Sequence, residues 1–85
     1  MSRPPARHPA VHWRRLDDET LCYRDGALHR LDAPTTLVWL LLDGHSDEPA
    51  IVQALHEVTG EPVPRLAADV RAVLGRLGEL GLLEG

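Results

Sequence analysis

Apolar and polar positions follow two different periods along this chain. Val11 to Leu16 (V-H-W-R-R-L) alternates, with Val11, Trp13 and Arg15 on one side and His12, Arg14 and Leu16 on the other. That is the period of a strand. Asp17-Asp18 is a turn signal, and Glu19 to Arg24 predicts a second strand, with Leu21 and Tyr23 on one face and Cys22 on the other. Asp25-Gly26 is the strongest hairpin signal in the chain, because a two-residue turn needs positive φ values that glycine adopts freely. Ala27 to Leu31 is then a third strand antiparallel to the second, completing a three-stranded meander.

From Asp32 onward the period lengthens. Asp32-Ala33-Pro34 reads as a helix start, with an Asx cap and a proline in the first turn, where no amide donor is missed. Thr35 to Leu42 is apolar on nearly every side, which predicts a central, buried helix closed by Asp43-Gly44. Ser46 is the expected cap of a second helix, with Asp47 and Glu48 in its first turn, an apolar stripe through Ile51, Val52, Leu55 and Val58, and Gly60 at its end. The third helix spans about Pro64 to Leu80, with Leu66, Val70, Val73, Leu74, Leu77 and Leu80 as its buried stripe. Beside that stripe run small residues and one arginine: Ala67, Ala68, Arg71, Gly75 and Gly78. Glycine inside a helix costs about 1 kcal/mol relative to alanine, so this strip either eases packing or admits another backbone at close range. Met1 to Ala10, with three prolines, is expected to be a flexible arm preceding one domain over residues 11–85.

Composition narrows the picture. Eighty-five residues form one domain with a small core. There is no Phe, one Tyr and two Trp, so the core is built mostly from Leu and Val. The net charge of −4 argues against a surface that grips a nucleic-acid backbone. The single Cys22 excludes an internal disulfide and reads as a small buried hydrophobe. The five histidines, His8, His12, His29, His45 and His56, lie at no metal-ligand spacing, and no phosphate-loop or dinucleotide glycine pattern occurs. No metal or cofactor is therefore expected. Short loops leave little room for a substrate pocket, so no catalytic activity is expected either. The longest apolar run, Leu37 to Leu42, falls far short of the ~20 residues of a membrane span. The expectation is a cytoplasmic protein.

Three antiparallel strands followed by three helices, the last long and amphipathic, form an α+β arrangement of the winged helix-turn-helix type. One use of it places the third helix in a DNA major groove. Here Arg65, Arg71 and Arg76 are interleaved with Asp69 and Glu79, and acidic residues on a recognition helix repel phosphate. The other use is strand addition, in which an extended peptide pairs with an exposed sheet edge. Leu28 and Arg30, or Ala27, His29 and Leu31, would line one wall of the site according to register. Ala67, Val70, Arg71, Leu74 and Gly78 would line the other.

At this point the chain resembles a family. The strand-turn-strand followed by L-D-A-P-T-T-L-V-W-L-L-L-D-G-H-S-D-E-P-A-I-V-Q-A-L, and later D-V-R-A-V-L-G-R-L-G-E-L-G-L-L, is similar to the PqqD-like family of small peptide chaperones, also called RiPP recognition elements. The matching features are Leu31-Asp32 before the first helix, the apolar helix ending at Gly44, the capped second helix from Ser46, Asp69-Val70 in the third helix and Gly81-Leu82-Leu83 after it. They cover about residues 11 to 83. V-H-W-R-R-L-D-D-E and G-A-L-H-R-L-D also resemble the subgroup found beside HPr kinase-related proteins, although Gly26-Ala27-Leu28-His29 lacks that subgroup's Thr-His pair. Standalone recognition proteins of lasso-peptide clusters usually show aromatic residues in the third strand, where Leu28 and His29 stand here.

The resemblance implies a winged-helix-like fold that binds the leader segment of a precursor peptide between the third strand and the third helix. It implies delivery of that peptide to a separate enzyme, such as a radical-SAM enzyme, cyclase, protease or kinase-related protein, and no catalysis by this chain. Neither nucleic acid nor membrane is an expected partner. An open edge strand leaves both monomer and homodimer open.

Overall fold

Two tight turns set the sheet. Asp17 (φ 56°), Asp25 (φ 52°) and Gly26 (φ 81°) all take positive φ, the backbone that reverses a chain within two residues. In the computed structural model, which describes residues 3–84, the turns join β1 (His12–Leu16), β2 (Glu19–Arg24) and β3 (Ala27–Leu31) into an antiparallel sheet of order β1-β2-β3. Then follow α1 (Ala33–Leu40), α2 (Glu48–Thr59) and α3 (Val63–Glu79). The α+β, winged-helix-like expectation holds.

The register sorts the side chains. Trp13, Cys22 and His29 form one cross-strand row, and Arg15, Thr20 and Leu31 another. Thr20, Cys22 and Leu31 of these rows are buried, so this face carries the helices. Under them lie Val38, Trp39 and Leu42, then Ile51, Val52 and Leu55 of α2, Leu66, Val70 and Leu77 of α3, and Leu82. One polar link crosses this core: the Thr20 and Thr36 hydroxyls meet at 2.9 Å, and Thr36 also donates to the Leu31 carbonyl at 3.4 Å. Both threonines are buried, so the bond satisfies groups that would otherwise be stranded away from water. Val58, expected in the α2 stripe, is 75% exposed.

Helix ends differ from expectation in two places. The Asp32 carboxylate accepts from the Thr35 amide at 3.0 Å, as expected of a cap, but α1 stops at Leu40, with Leu41 as its capping residue. Leu42 then turns into the core, and Gly44 (φ 81°) sits in the connecting bend, where its amide donates to the Pro5 carbonyl at 3.2 Å. The cap of α2 is Asp47, which accepts from the Ala50 amide. Ser46 instead gives its amide to the Asp43 carboxylate, as does His45.

The N-terminal segment is pinned where a flexible arm was expected. The Arg7 amide donates to the Leu42 carbonyl, the His8 amide to Leu82, and the Glu84 amide to Ala6. The Arg7 guanidinium donates to the Trp39 carbonyl at 3.0 Å and lies over the rings of Trp13 and Trp39, which meet edge to face at 6.0 Å. Met1 and Ser2 of that arm lie outside the described residues.

Candidate functional site

β3 is an edge strand. Its one pairing partner is β2, so half of its backbone donors and acceptors face away from the sheet. The two-residue turn makes Arg24 and Ala27 a hydrogen-bonded pair, and such pairs alternate along an antiparallel ladder. Ala27, His29 and Leu31 therefore bond inward to β2. Leu28 and Arg30 present their amides and carbonyls outward.

The structure places one hollow beside this edge and a second that adjoins the first. The first, of about 290 Å³, lies between residues 28–32 with Thr35 and the last turns of α3 at Arg76, Leu77 and Leu80. The second, of about 620 Å³, lies between α1 and α3. Leu37, Val38, Leu55, Leu66 and Val73 contribute to its apolar lining, and Glu61, Arg65, Asp69 and Arg76 bring charge to it. Both hollows are lined by Thr35 and Arg76, so they meet there. Leu37 and Leu80 remain 40% and 39% exposed beside them, although the rest of their helices' apolar stripes is largely buried.

Leu28, His29, Arg30 and Leu31 of the expected site all line the first hollow. Ala27 does not line it but continues the same edge toward the hairpin. The α3 residues named with them are elsewhere. Val70 is buried in the core and Leu74 packs against that core. Arg71 approaches Glu48 of α2 at 3.9 Å, while Ala67 and Gly78 are exposed and line neither hollow. The reason is the helical step of 100° per residue. Asp69, Ala72, Val73, Arg76 and Leu80 flank the buried stripe on one side, and Ala67, Arg71 and Gly78 flank it on the other. A sequence makes the two flanks equally available; the way α3 crosses the sheet chooses between them.

Two ionisable groups at or near the site are displaced from their ordinary behaviour. The Thr35 hydroxyl and amide hold the Asp32 carboxyl below the usual carboxylate range, with a smaller contribution from the Arg76 charge. Burial pushes the Cys22 thiol up to about 11, which leaves it protonated and a poor nucleophile at neutral pH. Arg24 braces the hairpin against the far end of α3 by donating to the Gly81 carbonyl. No cluster of three potential metal ligands occurs among the described residues, and no described helix is long and apolar enough to cross a membrane.

The pattern of coenzyme PQQ synthesis protein D (PqqD) matches residues 15–83. This chain belongs to the PqqD family. The PqqD-family chain is also similar to TbiB1, solved in complex with the TbiA(beta) leader peptide, at 29% identity and a TM-score of 0.85. That likeness covers 94% of this chain and 95% of TbiB1. The solved heterocyclase TruD shares the fold, at 19% identity and a TM-score of 0.72, over 96% of this chain and 11% of TruD. No curated protein matches. Within the PqqD-family fold, the open edge of β3 and the hollow beside it carry unspent hydrogen-bonding and apolar capacity.

Proposed function

We propose that this PqqD-family chain binds the leader segment of a ribosomally made precursor peptide as a fourth strand on β3 and presents it to a separate modifying enzyme. The observation that carries the reading is the free edge at Leu28 and Arg30, bordered by a hollow whose far wall is α3. The likeness to TbiB1, a protein of nearly the same extent solved with a leader peptide, supports it. Backbone pairing supplies affinity at the edge, and side chains pointing alternately into the hollow supply selectivity. The β3 wall is Ala27, Leu28, His29, Arg30 and Leu31. The α3 wall is Arg76, Leu77 and Leu80, in place of Ala67, Val70, Arg71, Leu74 and Gly78.

TruD, a heterocyclase that carries this fold in a small part of its length, supports pairing such a domain with a cyclising enzyme. The resemblance of the opening strand to the kinase-associated subgroup keeps a kinase-related protein beside a radical-SAM enzyme or protease as the finer alternatives. In each case the chemistry belongs to the partner and this chain contributes binding. The DNA-binding reading finds no support: the family and the TbiB1 likeness both lie with peptide chaperones, and Asp69 and Glu79 still oppose a phosphate backbone.

The test uses fluorescence anisotropy with the labelled leader of the precursor encoded beside this gene. Micromolar or tighter binding is expected. Leu28→Pro removes one outward amide while sparing the ladder to β2, a substitution that edge strands tolerate. It should weaken the peptide about tenfold, the loss expected of one backbone hydrogen bond. Failure of every neighbouring precursor to bind overturns the function, and an unaffected Leu28→Pro variant overturns the strand-addition geometry.

A further inference from the structure

The face of the sheet turned away from the helices carries an apolar patch that the peptide site only borders, through Leu28 and Arg30. Two cross-strand rows build it: His12, Tyr23 and Leu28, then Arg14, Leu21 and Arg30. Tyr23 is 48% exposed and Leu28 66%, and Leu16, further along β1, is 37% exposed. An open hollow of about 330 Å³ lies over Leu21, Tyr23 and Leu28, with His12 and Arg14 at its border. No described helix covers this face, because all three pack on the opposite side. An exposed tyrosine among leucines, ringed by arginine and histidine, is the composition of an interface centre.

Charge indicates what covers it. Glu19, the one acidic residue on this face of the strands, is held by Arg30 at 2.5 Å. Arg14 has no ion-pair partner among the described residues, so the patch is locally basic on a chain of net charge −4. With Arg30 and Glu19 paired, the unpaired Arg14 leaves the face net positive, so a second copy docked face to face would set two like-charged patches against each other, which repel. The fitting occupant is a different surface, apolar at its centre and acidic at its rim.

Size adds a second constraint. Three strands of five or six residues present a face only ~15 Å by ~17 Å, less than a stable interface needs by itself. A guest strand on β3 widens the face by ~5 Å, and guest side chains level with Leu28 and Arg30 project onto it by the two-residue period of a strand. We propose that this outer face is the docking surface for the peptide-modifying enzyme, and that the bound leader completes it. The completing role rests on the strand-addition reading above. The enzyme then contacts carrier and cargo together, so leader and enzyme each tighten the other's binding by the same factor.

The experiment titrates the full chain with the purified modifying enzyme encoded beside it, with and without the synthetic leader. Arg14→Glu and Tyr23→Ser are compared with wild type, and light scattering follows oligomeric state. Each variant should bind the enzyme about tenfold more weakly, as loss of an interface anchor does. Leader affinity should stay within about twofold of wild type, the ordinary scatter for a change outside a site. Leader should also tighten wild-type enzyme binding. Arg14→Glu sits on an exposed edge strand and keeps the fold, so a folding failure of Tyr23→Ser does not blunt the test. The proposal is overturned if wild type fails to bind the enzyme, if both variants bind as wild type does, or if a leader that binds the wild-type chain leaves its enzyme binding unchanged. A homodimer that Arg14→Glu dissolves would assign the face to a second copy and overturn it too. Loss of leader binding in wild type would overturn the strand-addition reading separately, since the titration without leader still reads the docking face.

Discussion

Asp32 sits where strand becomes helix, and one carboxylate serves two features there. It caps α1 through the Thr35 amide, and it borders the hollow that β3 shares with α3. Its carboxyl is held below the usual range by Thr35, so the ionised form favours the folded state. The contribution is present above the ordinary carboxylate value and is lost as pH falls through the depressed one. Asp32→Ala should cost about 1 kcal/mol at neutral pH, the usual loss for an N-cap. Chemical denaturation at neutral and acidic pH checks this: the gap between variant and wild type should close on acidification, and a gap that persists in acid would assign the cost to something other than the charge. The capping role was readable from Asp32-Ala33-Pro34 alone. The Thr20–Thr36 bond was not, because it joins residues sixteen apart in sequence whose meeting depends on how α1 crosses β2.

Elements were legible where local chemistry decides them and illegible where tertiary contact does. The three strands follow from alternation and turn residues, and α2 ends at Gly60 (φ 73°) as its sequence implies. The N-terminal segment is different. Its prolines favour an extended chain, and tertiary contacts convert that chain into a strap: backbone bonds to Leu42, Gly44, Leu82 and Glu84, and the Arg7 side chain reaching a carbonyl at the end of α1 and two indole rings. A cation at a helix C-terminus also opposes the macrodipole's negative end. Arg7→Ala should therefore lower stability by about 2 kcal/mol, combining a charge-assisted hydrogen bond with a cation–π contact. For a domain of this size the melting temperature should drop by roughly 10 °C. An unchanged melting temperature would show the strap to be energetically idle. On α3, Gly75 and Gly78 have nothing within 4 Å of an added Cβ and ordinary negative φ. Replacing either by alanine should stabilise the helix by up to about 1 kcal/mol and leave peptide affinity unchanged. Weakened binding by Gly78→Ala would instead return the guest to that flank.

At the scale of the molecule, the choice between the two flanks of α3 is a choice about where the guest lies. Arg76 stands where the β3 hollow meets the α1–α3 hollow, and among the described residues it has no salt-bridge partner. Arg71 is likewise exposed but turns toward Glu48 on the α2 side. The pair makes an internal control: same residue type, same helix, opposite flanks of the buried stripe. A leader lying between β3 and α3 must pass Arg76 and cannot reach Arg71. Arg76→Glu should then weaken leader binding roughly tenfold, because it replaces a cation beside the Asp32 carboxylate with a second anion and removes a donor to guest carbonyls. Arg71→Glu should leave affinity within about twofold, since a distant surface change seldom couples to a site. Salt separates charge from shape. Exposed charges are screened with a Debye length of about 8 Å at physiological ionic strength and about 3 Å at 1 M, so the Arg76→Glu deficit should shrink as salt rises. A deficit in Arg71→Glu with none in Arg76→Glu would place the peptide on the flank of Ala67 and Gly78, and the groove beside β3 would lose its occupant.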